Sequence, residues 1–263
     1  MDIIGQERLI KKLTSYSYQT LPKTLLLIGE HGCGKQKMAE FIAAHFDIEL
    51  INIEPNVEAD TLIEYYQSPA RALYVIDLTA FSERAQNRIL KFIEEPSPTS
   101  NILLLTDSEV SVIPTVLNRC IKLYFDTYSE EELEKYKKFN NKLIYKLCRT
   151  PGQLDEVDNT NIDDLVNFCN KFIDRIDKAS YANALKVSTE LNYKEDYNKF
   201  NLNLFFNTVL YCAQAKYREI ADKKYLIIYN ITNKYITLIS NKTLVKENVV
   251  LSYLTDIWEA VVA

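Results

Sequence analysis

An α/β domain with a parallel sheet covered by helices, followed by an all-α region, is the fold class that three features of this 263-residue chain predict. The first is alternation. Over residues 1–125, the short apolar runs Leu25–Ile28, Glu49–Ile53, Ala72–Ile76, Asn101–Thr106 and Ile121–Phe125 alternate with helical segments, as strands and helices do in a parallel sheet with helical crossovers. The second is punctuation. All five glycines and all seven prolines lie at or before residue 152, and the 111 residues beyond have neither; so long a stretch without backbone breakers is most easily helical. The third is periodicity. Ile162, Leu165, Val166, Cys169, Phe172, Ile173 and Ile176 recur at three- and four-residue steps behind Asp163 and Asp164 in a first turn.

These features divide the chain into an α/β domain over 1–125, a small charged helical lid over 126–160, and an all-α domain over 161–263. Within the last, helical patterns run from Leu202 to Ala221, Tyr225 to Ile239 and Leu244 to Val262. The aromatic stripe Phe205, Phe206, Tyr211, Tyr217, Tyr225 and Tyr229 fits helix–helix contact better than a platform for stacked bases. A hydrophobic share of 47% and a charged share of 25% are those of a soluble globular protein. No stretch approaches the roughly 20 apolar residues of a membrane span. The first residues show neither a basic region nor an apolar core, so a cytoplasmic location is expected. The five cysteines are scattered, outside C-x-x-C pairs, and read as free thiols rather than metal ligands. Residues 1–125 carry 12 Lys/Arg against 16 Asp/Glu, and residues 126–263 carry 19 against 20, for a total of −5. Neither part is a basic nucleic-acid footprint, so any DNA contact must be local or shared with more basic partners.

The most informative segment runs from Leu25 to Gln36. An apolar strand opens into Gly29-Glu30-His31-Gly32-Cys33-Gly34-Lys35, the spacing G-x-x-x-x-G-K of a phosphate-binding loop. Gly29, Gly32 and Gly34 let backbone N–H groups, Cys33 among them, turn inward toward phosphate oxygens. The following helix aims its positive end at the same place, and Lys35 would reach the terminal phosphates. A hydroxyl that would ligand Mg²⁺ belongs next. Gln36 stands there, so weak Mg²⁺ coordination is expected. Downstream, Leu73-Tyr74-Val75-Ile76-Asp77 ends a strand in a carboxylate that would hold Mg²⁺ through water or would simply cap the next turn. Leu78 after it cannot act as a general base. Ser82 to Pro96 reads as an amphipathic helix. Ser82 or Thr79 is its cap, Glu83 lies in its first turn, Ile89, Leu90, Phe92 and Ile93 form its buried face, and Pro96 is its stop.

Gly5-Gln6, the phosphate loop, Ala85-Gln86-Asn87 with Leu90-Lys91 and Glu94-Glu95-Pro96, and Pro114-Thr115-Val116-Leu117-Asn118-Arg119-Cys120 follow one another in that order. In this the chain resembles the bacterial DNA polymerase III clamp-loader subunits of the AAA+ superfamily, most of all the delta-prime subunit. The motifs cover about residues 1–155, and helical composition alone extends the likeness beyond. The resemblance implies that Arg119, in Asn118-Arg119-Cys120 where the family has Ser-Arg-Cys, is an arginine finger acting in a neighbouring subunit's site. The bland alternative is a structural arginine capping a helix or pairing with an acid. The resemblance also places Thr106 at the sensor that contacts the terminal phosphate, with Asp107 beside it unhelpful to an anion. Gly152-Gln153-Leu154 stands where active members carry a sensor arginine. The cysteine module that holds zinc in many relatives is absent, so no zinc is expected.

Gln36, Leu78, Asp107 and Gln153 each remove or weaken a hydrolysis function, while Arg119 remains. The resemblance therefore implies a delta-prime-like stationary subunit, supporting ATP-dependent loading of the sliding clamp on primed DNA with gamma/tau and delta subunits as partners. Whether ATP or ADP occupies the loop stays open. Arg84, Arg88 and Lys91 are candidates for phosphate contacts with DNA, against the commoner reading of a solvated charged face. The enzyme alternative is an active AAA+ ATPase, a motor subunit or a branch-migration helicase. The non-enzymatic one is an adaptor of the same shape outside replication.

Overall fold

The computed structural model describes residues 3–157, 161–176, 201–239 and 244–262. Residues 158–160 and 177–200, parts of the predicted lid and all-α domains, lie outside the described residues. The chain divides into two compact units, Met1–Tyr128 and Ser129–Ala263.

The first unit is built on five parallel strands: β1 (Thr24–Ile28), β2 (Glu49–Asn52), β3 (Ala72–Asp77), β4 (Asn101–Thr106) and β5 (Ile121–Tyr124), in the spatial order β2-β3-β4-β1-β5. These are the five predicted runs, with edges shifted by a residue at most. The helices are α1 (Glu7–Thr14), α2 (Lys35–Phe46), α3 (Ala59–Gln67), α4 (Glu83–Arg88), α5 (Leu90–Glu94) and α6 (Pro114–Leu117). The central strands are buried along their length because both faces of the sheet are covered. Side chains alternate between those faces. Leu26, Ile28, Tyr74, Ile76, Ile102 and Leu104 pack with Phe81, Ile89, Phe92 and Val116 on one side. Leu25, Leu27, Leu73, Val75, Leu103 and Leu105 pack with Leu9, Leu13, Met38 and Ile42 on the other.

One departure from the sequence reading is local. The predicted Ser82–Pro96 helix breaks at Ile89 into α4 and α5. Ser82 caps the first piece, its Oγ accepting from the Ala85 N–H. Gln6, in the Gly5-Gln6 motif, is a fully buried brace. Its Nε2 donates to the Asp126 carbonyl and its Oε1 accepts from the Asp126 N–H, each at 2.9 Å.

The elements of the second unit, among the described residues, are all helices: α7 (Glu130–Tyr136), α8 (Ile144–Leu147), α9 (Pro151–Asp155), α10 (Ile162–Ile176), and three long helices over Leu202–Ile220, Lys223–Ile239 and Lys246–Val262. Ser129 and Glu132 close a capping box on α7. Phe172, Phe205, Phe206, Tyr235 and Tyr253 form an aromatic cluster among the long helices. Of the stripe read from the sequence, Phe205, Phe206 and Tyr225 are core residues, whereas Tyr217 is exposed. Burial pushes the Tyr253 hydroxyl well above the ordinary tyrosine range; it meets Thr232 Oγ1 at 2.9 Å.

Candidate functional site: the glycine loop and Arg119

β1 hands the chain to the loop at Gly29, and α2 takes over at Lys35. Gly32 and Gly34 sit at φ 78° and 97°, in the left-handed region that a side chain disfavours. Gly29 is required by space: a Cβ there would lie 2.7 Å from Cys33 Sγ and 2.8 Å from Phe125 Cβ. The Gly29 N–H donates to the Thr106 carbonyl at 3.2 Å, tying the loop to the end of β4. The Tyr128 hydroxyl donates to the Cys33 carbonyl at 2.7 Å. Burial pushes the Cys33 thiol up to about 11, so the loop cysteine is a neutral packing group at pH 7 rather than a nucleophile.

Lys35 folds back over the loop. Its Nζ donates to the Gly29 carbonyl at 2.6 Å and the Glu30 carbonyl at 3.2 Å, and makes an ion pair with Asp107 Oδ1 at 2.6 Å. The Lys35 and Asp107 side chains are only 11% and 12% exposed. Asp107 Oδ2 is buried, has no hydrogen-bond partner among the described residues, and lies 4.0 Å from His31 Nδ1. Spacing signals do not reveal this pair, because its members are 72 residues apart and meet only once β1 and β4 are neighbours.

The other loop-side candidates are near but have partners of their own. Exposed Gln36 directs Nε2 to Asn52 Oδ1 at 3.4 Å, at the end of β2. Asp77 Oδ1 accepts from the Thr79 N–H at 3.1 Å and hydroxyl at 2.6 Å, capping the short 3-10 turn Leu78–Ala80. That is the capping geometry weighed against a metal role. Leu78 is buried. Thr106 is fully buried; its Oγ1 meets the Ser108 carbonyl and Ser111 Oγ, both at 2.9 Å. Ile28, Asp77 and Thr106 nonetheless end adjacent strands on one edge, the carboxyl edge where open α/β sheets place ligands. The backbone therefore suits a phosphate, while the loop's cation is already matched by a carboxylate.

Arg119 follows α6. Its Nη1 donates to the Thr115 carbonyl at 2.7 Å, and its Nη2 pairs with Glu94 Oε1 at 2.5 Å, both side chains about two-fifths exposed. Glu94 belongs to the Glu-Glu-Pro motif, so two separately read motifs meet. Arg84 and Lys91 are exposed, and Arg88 donates to the Pro55 carbonyl at 2.6 Å. In the second unit, buried Gln153 accepts from the Arg149 N–H at 2.7 Å and helps seat α9. Among the described residues there is no cluster of His, Cys, Asp or Glu suited to a metal ion, and no helix is long and apolar enough to cross a membrane. The five cysteines are free.

Sequence reasoning missed the purpose of Gln86, in Ala85-Gln86-Asn87. Its buried side chain donates to the Phe81 and Ser111 carbonyls and accepts from the Ile113 N–H at 3.0 Å. It thereby fastens α4 to the segment that leads to α6 and Arg119. A polar residue among helix positions otherwise facing the core was the available signal.

The parallel five-stranded sheet with its surrounding helices matches the fold of RuvB. A solved Thermotoga maritima RuvB variant superposes with a TM-score of 0.53 at 17% identity, covering 83% of this chain and 95% of the other. A second variant gives 0.51 at 17% identity, covering 76% and 87%. Residues 47–129 match the model of the family described as DNA polymerase III, delta subunit. The DNA polymerase III subunit gamma of Buchnera aphidicola subsp. Schizaphis graminum is 25% identical over 171 residues, 52% of this chain and 47% of the relative. The match thus spans about half the length of that relative. Both sequence matches are to subunits of DNA polymerase III. The family match begins beyond the phosphate loop and includes both the Glu-Glu-Pro and Arg-Cys segments.

Proposed function

We propose that this chain is a delta-prime-like stationary subunit of the DNA polymerase III clamp loader. It would support ATP-dependent placement of the sliding clamp on primed DNA by supplying Arg119 to a neighbouring subunit's nucleotide site. Residues 126–160 would be its lid and residues 161–263 its collar, assembling in the cytoplasm with gamma/tau and delta subunits. The single observation behind the stationary role is the commitment of the loop's machinery. Lys35, Asp77 and Thr106 each spend their functional atoms on partners within the chain, and Leu78 offers no base for water activation.

Arg119 has the chemistry of a finger. A planar, permanently charged guanidinium stabilises charge building on a transferring phosphoryl group. Its present partner, Glu94, is itself partly exposed, so a pair of this kind is weak and exchangeable against a phosphate anion. The relative named as a gamma subunit favours the motor alternative, in which this chain would itself hydrolyse ATP.

Reconstitution with gamma/tau and delta subunits separates the two. In the mixed assembly, Arg119→Ala is expected to leave assembly intact and slow DNA-stimulated ATP turnover by roughly 10³-fold or more; unchanged turnover rejects the finger. Purified alone, the chain is expected to show negligible turnover. Robust hydrolysis lost in Lys35→Ala would instead establish the motor.

A further inference from the structure

The ammonium of Lys35 has three protons, and the structure supplies three oxygen acceptors: Gly29 O at 2.6 Å, Asp107 Oδ1 at 2.6 Å and Glu30 O at 3.2 Å. The group that in a phosphate loop would meet a ligand's terminal oxygens is saturated from inside the protein. Its charge is balanced as well, by a carboxylate with little exposure of its own. Asp107 directly follows Thr106, whose carbonyl accepts from the Gly29 N–H. The carboxylate is thus carried into the loop by the same strand end that fixes the loop's first turn.

We propose that Asp107 serves as a built-in anion for the glycine loop, and that the residue at this position decides whether the loop takes a nucleoside polyphosphate. The Lys35–Asp107 pair would then be a clasp joining the β1–α2 turn to β4. A diphosphate or triphosphate entering the loop has to separate the pair and sit against a like charge, which disfavours it. The orphaned Oδ2 marks the cost of that arrangement. It is a buried carboxylate oxygen without a hydrogen bond among the described residues, 4.0 Å from His31 Nδ1, and leaving such an atom unmatched is costly. Replacing the carboxylate by an amide of the same shape removes the like charge and leaves the lysine available to phosphate.

This inference stands on the ion pair and does not require the loader reading, and its test uses the full chain alone rather than the mixed assembly. Binding of Mg²⁺-ADP and of Mg²⁺-free ADP is measured by titration calorimetry for the wild type, Asp107→Asn, Asp107→Ser and the double variant Asp107→Asn with Lys35→Ala. The expected result is weak binding by the wild type, binding at least tenfold tighter in Asp107→Asn and Asp107→Ser, and loss of that gain in the double variant. Thermal melts of Lys35→Ala, Asp107→Asn and the double variant supply a readout free of nucleotide. If the pair is a clasp, the two single losses are non-additive. Wild-type affinity equal to that of the Asp107 variants, or strictly additive melts, overturns the proposal.

Discussion

At the scale of single residues, the loop shows how one composition serves two demands. Gly32 and Gly34 are there for backbone angle, but Gly29 is there for room. Adding a methyl group at Gly29 would press on Cys33 Sγ and on the Phe125 side chain, both in a packed setting. Gly29→Ala is therefore expected to destabilise the protein by about 1–3 kcal/mol, the usual cost of overpacking. Chemical denaturation checks this, and an unchanged midpoint would show that the loop yields. The glycine spacing and the lysine were plain in the sequence because a phosphate loop needs them at fixed intervals. The presence of Asp107 beside Thr106 was also legible, and so was its unsuitability for an anion. Its grip on Lys35 was not, since that depends on which strands become neighbours.

Among the elements, α4 and α5 illustrate what periodicity can and cannot reveal. Their apolar face, Ser82 cap and proline stop follow from residue types alone. The break at Ile89 does not, because both halves carry the same helical pattern. Nor does the use of Gln86, whose three hydrogen bonds go to residues 81, 111 and 113. Truncating it strands two carbonyls and an N–H. Gln86→Ala is expected to cost about 1–3 kcal/mol and to loosen the segment before α6. Amide hydrogen exchange at Ile113 should rise along with the lower melting point; unchanged protection there would remove Gln86 from that task. The same element logic joins Arg119 to Glu94. Each motif was readable by itself, but their meeting is a product of the folded sheet.

For the molecule as a whole, the alternation of buried residues on the two faces of the sheet explains why the fold class is legible in the strands. The central strands β1, β3 and β4 are largely apolar on both sides because helices lie on both sides. Both core clusters lie wholly within residues 1–128. A fragment of residues 1–128 is accordingly expected to unfold cooperatively by circular dichroism, as a domain with its own core should. A broad, non-cooperative melt would show that the sheet unit leans on the rest of the chain. The helical character of the second unit beyond residue 152 was legible from missing glycine and proline. The partners in its aromatic cluster were not, because helices distant in sequence supply them.

The double hydrogen bond between Gln6 and Asp126 brings the beginning and the end of the sheet unit to the same spot. In topological terms the unit is nearly a closed ring. Its ends can be spliced by a short linker and the chain reopened at the exposed Pro69–Ala70 turn between α3 and β3, so that a circular permutant would keep every strand neighbour while exchanging the order in which the ribosome delivers them.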